Sequence, residues 1–130
     1  MPNLHAVEIK AFVPARDFAR SIAFYQAIGF HMASNVQGVA CFRHGECSFL
    51  LQDFHVAEHS HNFMMHLLVA NADDWYAHII DSGVVEAFGV RLVPPQDQPW
   101  GMRDFVLIDP SGVLWRIAHN VPPSTYLTGG

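Results

Sequence analysis

The chain has 130 residues, about the size of one ordinary domain, with 51% hydrophobic and 15% charged side chains, which is apolar enough for a sizeable core and excludes a disordered chain. A formal net charge of −5, one Lys against six Arg and no basic run exclude the electrostatic footprint of a nucleic-acid binder. No apolar run approaches the roughly 18 residues of a membrane span, so no membrane partner is expected.

The start, "MPNLHAVEIK", lacks a basic stretch followed by an apolar one, so a soluble, cytoplasmic protein is expected. "VEIKAFV" (7–13) alternates Val7, Ile9, Ala11 and Val13 against Glu8, Lys10 and Phe12, which predicts a strand with one apolar face. "DFARSIAFYQAIG" opens on Asp17 as an N-cap, spaces Phe18, Ile22 and Tyr25 along one helical face and stops at Gly29. Strands are predicted at 30–35, 38–43 and 46–53, the last two joined by His44 and Gly45 as a tight hairpin. Cys41 and Cys47 are too few for a disulfide scaffold and read as buried thiols on neighbouring strands.

A polar loop (54–62) carries His55, Glu58, His59 and His61; its spacing is that of a solvated segment, with a metal cluster as the sharper alternative. The pattern then restarts. "FMMHLLVA" (63–70) reads as a strand and "NADDWYAHIIDSG" (71–83) as a helix capped by Asn71, with Asp74 three residues on, Trp75 and Ile79 on its apolar stripe and Gly83 at its end. Strands are predicted at 85–93, 102–108 and 113–118, with a loop at 94–101, a type I turn at Asp109-Pro110-Ser111-Gly112 and an irregular tail over 119–130. The reading is one domain, 1–130, of class α+β, built from two βαβββ units (about 5–53 and 63–118). Each unit is too small to be comfortable alone, so the two pack together or on those of a second subunit.

Alternation divides each strand into two faces. The helix-covered faces take Val7, Ile9, Ala11 and Val13; Cys47, Phe49 and Leu51; Met65, Leu67 and Val69; and Val113, Trp115 and Ile117. The opposite faces take Glu8, Lys10 and Phe12; Ser48, Leu50 and Gln52; Met64, His66 and Leu68; and Leu114, Arg116 and Ala118. This second set mixes long apolar groups with polar ones, as a ligand-lined groove does. It equally describes one wet sheet face, on which Glu8, Lys10 and Arg116 form an exposed ion-pair cluster worth under about 1 kcal/mol.

"ARDF" with "FY" (15–18, 24–25), "QPWG" (98–101) and the "DPSG" turn (109–112) resemble the vicinal oxygen chelate superfamily, and within it the bleomycin resistance proteins. The resemblance implies curved, mostly antiparallel sheets forming an open barrel, completed in a homodimer. Enzymes of that superfamily, lyases, isomerases and extradiol-type dioxygenases among them, hold a divalent metal with His, Glu or Gln at four positions. Those positions fall here on Lys10, Gln52, Met64 and Arg116. Ammonium and guanidinium have no lone pair to give and a thioether is a poor ligand for hard ions, so no metal cofactor is expected. The resemblance therefore implies a non-enzymatic protein of antibiotic resistance, sequestering an aromatic or amphipathic small molecule in a groove. The candidate ligand contacts are Lys10, Phe12, Phe30, Phe42, Leu50, Gln52, Met64, His66, Trp100, Asp104 and Arg116, with Glu8 and Asp104 available to neutralise the two cations. The alternative is a metal-dependent enzyme of the superfamily with its ligands shifted to Gln52, His66 and His5.

Overall fold

The computed structural model describes residues 2–122. The first unit runs β1 (Phe12–Pro14), α1 (Phe18–Ala27), β2 (His31–Val36), β3 (Val39–His44) and β4 (Cys47–Gln52). A short helix, α2 (Ala57–His61), leads to the second unit: β5 (Met64–Leu68), α3 (Ala72–Ser82), α4 (Val84–Phe88), β6 (Arg91–Asp97), β7 (Met102–Ile108) and β8 (Leu114–Asn120). The strands form two separate four-stranded sheets in the orders β1-β4-β3-β2 and β5-β8-β7-β6, so the second unit repeats the topology of the first. The β1–β4 and β5–β8 pairs are parallel and the others antiparallel.

Both long helices start where their caps predict. Asp17 accepts a hydrogen bond from the backbone N–H of Arg20 (3.1 Å) and Asn71 one from Asp74 (3.0 Å), each satisfying a donor that has no partner within its helix. Gly83 ends α3 in the left-handed region, at φ 76°.

Several expectations are corrected. The first strand is confined to Phe12–Pro14. Residues 7–11 still follow β4, with the Leu50 N–H bonded to the Ala11 carbonyl (2.9 Å), but Val7 and Ile9 are 84% and 94% exposed because no layer among the described residues covers them. Residues 84–88 are helical rather than extended: Val84 is buried, and Phe88 packs edge-on against Phe24 with the Arg20 guanidinium above its ring. The first half of the expected loop at 94–101 is strand, since β6 continues through Pro94 and Pro95 to Asp97; it is an edge strand with a register shift between Val93 and Gln96, where missing N–H donors are tolerated. The loop at 54–62 contains α2. Cys47 is exposed beside the hairpin turn and Cys41 is half-buried, so neither is a core thiol. The hairpin turn itself is Gly45–Glu46, one residue later than expected, with Gly45 at φ 58° in the position that favours glycine. Strand β8 extends to Asn120, and the rest of the expected tail beyond 122 lies outside the described residues.

The two units meet in an aromatic core. Tyr25 packs against Phe49 (4.9 Å), Phe42 (5.8 Å) and Trp115 (5.8 Å), and Trp115 reaches Phe30 (5.9 Å) and Phe49 (5.2 Å). Each such ring contributes on the order of 2–3 kcal/mol by burial. A buried polar chain runs through it. The indole N–H of Trp115 donates to the Tyr25 hydroxyl, which donates to the Asp109 carboxylate. Asp109 also accepts from the backbone N–H groups of Ser111 (2.8 Å) and Val113 (2.9 Å), closing the DPSG turn. The Ser111 hydroxyl in turn accepts from the Arg16 backbone N–H (2.9 Å). The motif segments at 15–18 and 109–112 thus touch each other, and their residues hold one unit to the other.

Candidate functional site

The open face of the second sheet is assembled by register. Arg116 on β8 lies between His66 on β5 and Val106 on β7, and Asp104 lies beside Ala118. Asp104 is only 2% exposed, and a buried carboxylate requires compensation. Arg116 supplies it, with one guanidinium nitrogen 3.2 and 3.3 Å from the two carboxylate oxygens, and the Gln98 amide adds a bond of 2.9 Å. The QPWG segment is the turn between β6 and β7, closed by a bond from the Gly101 N–H to the Gln98 carbonyl. It sets the Trp100 ring 5.8 Å from the Arg116 guanidinium carbon, with the ring 58% exposed. The result is a cavity of about 130 Å³ lined by Val93, Gln96, Gln98, Asp104, Val106 and Arg116, to which exposed Trp100 connects through its contact with Arg116.

On the first sheet, Lys10 lies 3.0 Å from the Glu8 carboxylate, which also accepts from Ser48 (2.6 Å) and Arg43 (3.0 Å). Both candidate cations are therefore paired with a neighbouring carboxylate, Glu8 being shared between Lys10 and Arg43. The Ser48 hydroxyl, the Lys10 ammonium and the Arg43 guanidinium hold the Glu8 carboxyl at a pKa of about 2 against an ordinary 4.5. Because this value is lowered, the stability Glu8 contributes is fully present above its ordinary pKa and is lost as the pH falls through about 2. A carboxylate-carbon NMR titration should place the Glu8 midpoint near 2, moving upward in Ser48→Ala; a wild-type midpoint near 4.5 would show that the 2–11 segment is not held this way.

Phe12 and Gln52 line a second cavity of about 200 Å³ with Pro14, Phe54, His59 and Phe63. His66 lines a third, of about 180 Å³, with Phe30, Ser48, Phe49 and Met65. The residues expected in a single groove thus line separate hollows, of which the third is walled by residues of both sheets. Leu50 is half-buried beside Phe12 in register, and Met64 is exposed on β5. His66, not Met64, is the register partner of Arg116.

Phe42 is corrected: it is fully buried in the aromatic core and offers no face to a ligand, whereas Phe30, also packed in that core, keeps only an edge on the third cavity. A two-residue turn between β3 and β4 pairs Phe42 with an odd-numbered residue, here Phe49, and the odd-numbered residues Phe49 and Leu51 of β4 are covered. His5 is exposed in the segment before β1. Among the described residues, no three His, Cys, Asp or Glu side chains converge in a way that could hold a metal ion, the histidines of 55–61 included. Gln98 and Ser48 escaped the sequence reading as site residues. Gln98 was visible only as the first letter of QPWG, six residues from Asp104 across a tight turn.

The family described as the glyoxalase/bleomycin resistance protein/dioxygenase superfamily matches residues 4–117. No curated protein sequence matches the chain. Among solved structures, a bleomycin-binding protein complexed with bleomycin is similar at 25% identity and TM-score 0.76, over 88% of this chain and 99% of that one. The bleomycin-binding protein of Streptomyces verticillus complexed with copper(II)-bleomycin is similar at 16% identity and TM-score 0.74, over 92% and 99%. Lactoylglutathione lyase from Agrobacterium tumefaciens shares the fold at 18% identity and TM-score 0.63, over 88% and 95%. With the βαβββ topology present twice and the family match spanning nearly all of both units, the chain belongs to the glyoxalase/bleomycin resistance protein/dioxygenase superfamily.

Proposed function

We propose that the chain is a metal-free small-molecule-binding protein of the bleomycin-resistance kind, holding an aromatic or amphipathic ligand against its open sheet faces. One observation carries the reading: Arg116, at a position where the family's enzymes hold a metal, is paired with buried Asp104 beneath an exposed Trp100. A guanidinium cannot ligate a cation, whereas an indole next to a neutralised ion pair offers a stacking surface that does not repel a positively charged ligand. The chain's net charge of −5 favours the approach of such a ligand.

A second copy of the chain completes the groove. Glu8 ties the polar side of the 2–11 segment to β4 while Leu4, Val7 and Ile9 point to solvent, and Phe12, Met64 and Leu68 are more than half exposed on the two open faces. Surface of this kind calls for a covering partner.

The test is a fluorescence titration of chelator-treated protein with metal-free bleomycin, alongside Trp100→Ala. Saturable binding that weakens about tenfold or more in the variant, about 1.4 kcal/mol, supports the proposal. No saturable binding, or equal binding by both proteins, overturns it for this ligand class. Sedimentation velocity should show a dimer.

A further inference from the structure

On the helix-covered side of the first sheet, an open surface cavity of about 250 Å³ is lined by the exposed residues His44, Asp74 and His78 and by half-buried Trp75. It lies where the end of β3 meets α3, beside the C-terminus of α1. Trp75, expected on the apolar stripe of its helix, packs against the core and is half-buried, with its remaining surface lining the cavity. The two imidazoles stand edge-on to the indole, His44 at 5.0 Å and 74° and His78 at 5.8 Å and 84°.

The protonation pattern of this wall is fixed by its neighbours. His44 Nδ1 meets the Gly29 carbonyl (3.2 Å) and His78 Nε2 meets the Ile28 carbonyl (2.9 Å). A carbonyl only accepts, so each of these ring nitrogens carries the proton. In the neutral rings the other nitrogen is therefore a bare acceptor. Asp74 adds a carboxylate at the first turn of α3, and its own part in the helix cap is played by its backbone N–H, which leaves the side chain uncommitted to the cap. Lysine and arginine are absent from the lining. The lining thus combines an indole, two imidazoles that each keep one acceptor nitrogen in the neutral form, and one negative charge.

We infer that this cavity is a second binding site, for a small planar organic cation such as an aryl amidinium. The aromatic rings attract its flat positive face and Asp74 accepts its N–H groups. The volume is below the roughly 300–1,000 Å³ of drug-sized sites, so the occupant is fragment-sized.

Benzamidinium, with neutral benzamide as its isostere, is the probe. Two-dimensional NMR of the labelled protein should show the Trp75 indole N–H signal shifting saturably with benzamidinium, with a dissociation constant on the order of millimolar. Binding should weaken about tenfold in Asp74→Asn, which keeps the cap, and equally with benzamide. The site is refuted if the Trp75 signal does not move, or if it moves alike for both probes and in Asp74→Asn. Neither outcome touches the open-face proposal, whose reporter is Trp100.

Discussion

Asp109→Ala is expected to lose about 3–5 kcal/mol of stability, the largest effect of any single substitution considered for this chain. The carboxylate is almost fully buried and serves three donors at once: the Tyr25 hydroxyl and the backbone N–H groups of Ser111 and Val113. Each buried donor left without a partner costs about 1–3 kcal/mol, and the three do not add fully because they share one site. Asp109→Asn keeps an oxygen toward the turn and should cost much less, which separates loss of the acceptor from loss of the charge. Urea denaturation of the two variants reads the difference directly, and equal stability of Asp109→Ala and wild type would contradict the account of the core.

The same residue has an acid-side signature. Burial raises the Asp109 carboxyl above its ordinary range, partly offset by its bonds from Tyr25 and from the turn backbone. A raised native value means that, just above the ordinary pKa, the native state holds a proton that the unfolded chain has shed. Through this group, stability therefore rises as the pH falls from above the raised value toward the ordinary one, and Asp109→Asn removes that rise. Burial likewise pushes the Tyr25 hydroxyl up, with the Asp109 charge adding to it, so Tyr25 stays a donor in the native state.

Arg116→Glu is the second large effect. It removes the partner of a carboxylate that is 2% exposed and sets a second negative group on the same face. Breaking a buried pair costs about 3–5 kcal/mol; because Arg116 keeps 28% of its side chain exposed, about 2–3 kcal/mol is expected here. The substitution also creates a site with two carboxylates, Asp104 and the new Glu, beside His66 in register. A divalent cation should bind there and recover part of the loss, since a ligand that binds only the native state stabilises it by mass action. A melting curve of Arg116→Glu with and without manganese measures both halves. A variant as stable as wild type and indifferent to manganese would count against the assigned geometry.

Much of the architecture was legible because its signals are local. Asp17 and Asn71 cap the helices they predict, and the Val113 to Ala118 alternation puts Trp115 into the core while leaving Arg116 on the open face. Where the reading failed, the deciding contact was remote. Alternation in 7–13 marks an apolar side but cannot say what lies over it, and among the described residues nothing covers Val7 or Ile9. "VVEAF" looks extended by its β-branched residues, yet Gly83 in the left-handed region lets a new helical turn begin, and Val84 and Phe88 then bury one turn apart. An aromatic residue reads the same in sequence whether it floors a ligand site or fills a core. Phe42 was decided by its cross-strand pairing with Phe49, and Phe30 by the Tyr25 and Trp115 rings of the aromatic core. Alternation sorted the strand faces, but which of the exposed residues share a hollow depends on contacts between segments far apart in the chain, as where Ser48 and His66 line the same one.

Metal analysis of the wild-type protein tests the central claim most directly. After chelator treatment and dialysis against nickel, zinc, iron and manganese, elemental analysis should find no near-stoichiometric metal, because two of the four positions that the family resemblance assigns to metal ligands fall on Lys10 and Arg116, which have no lone pair to give and are paired with Glu8 and Asp104. Uptake near one ion per chain, lost in Gln52→Ala or His66→Ala, would contradict the account and establish a metal centre instead.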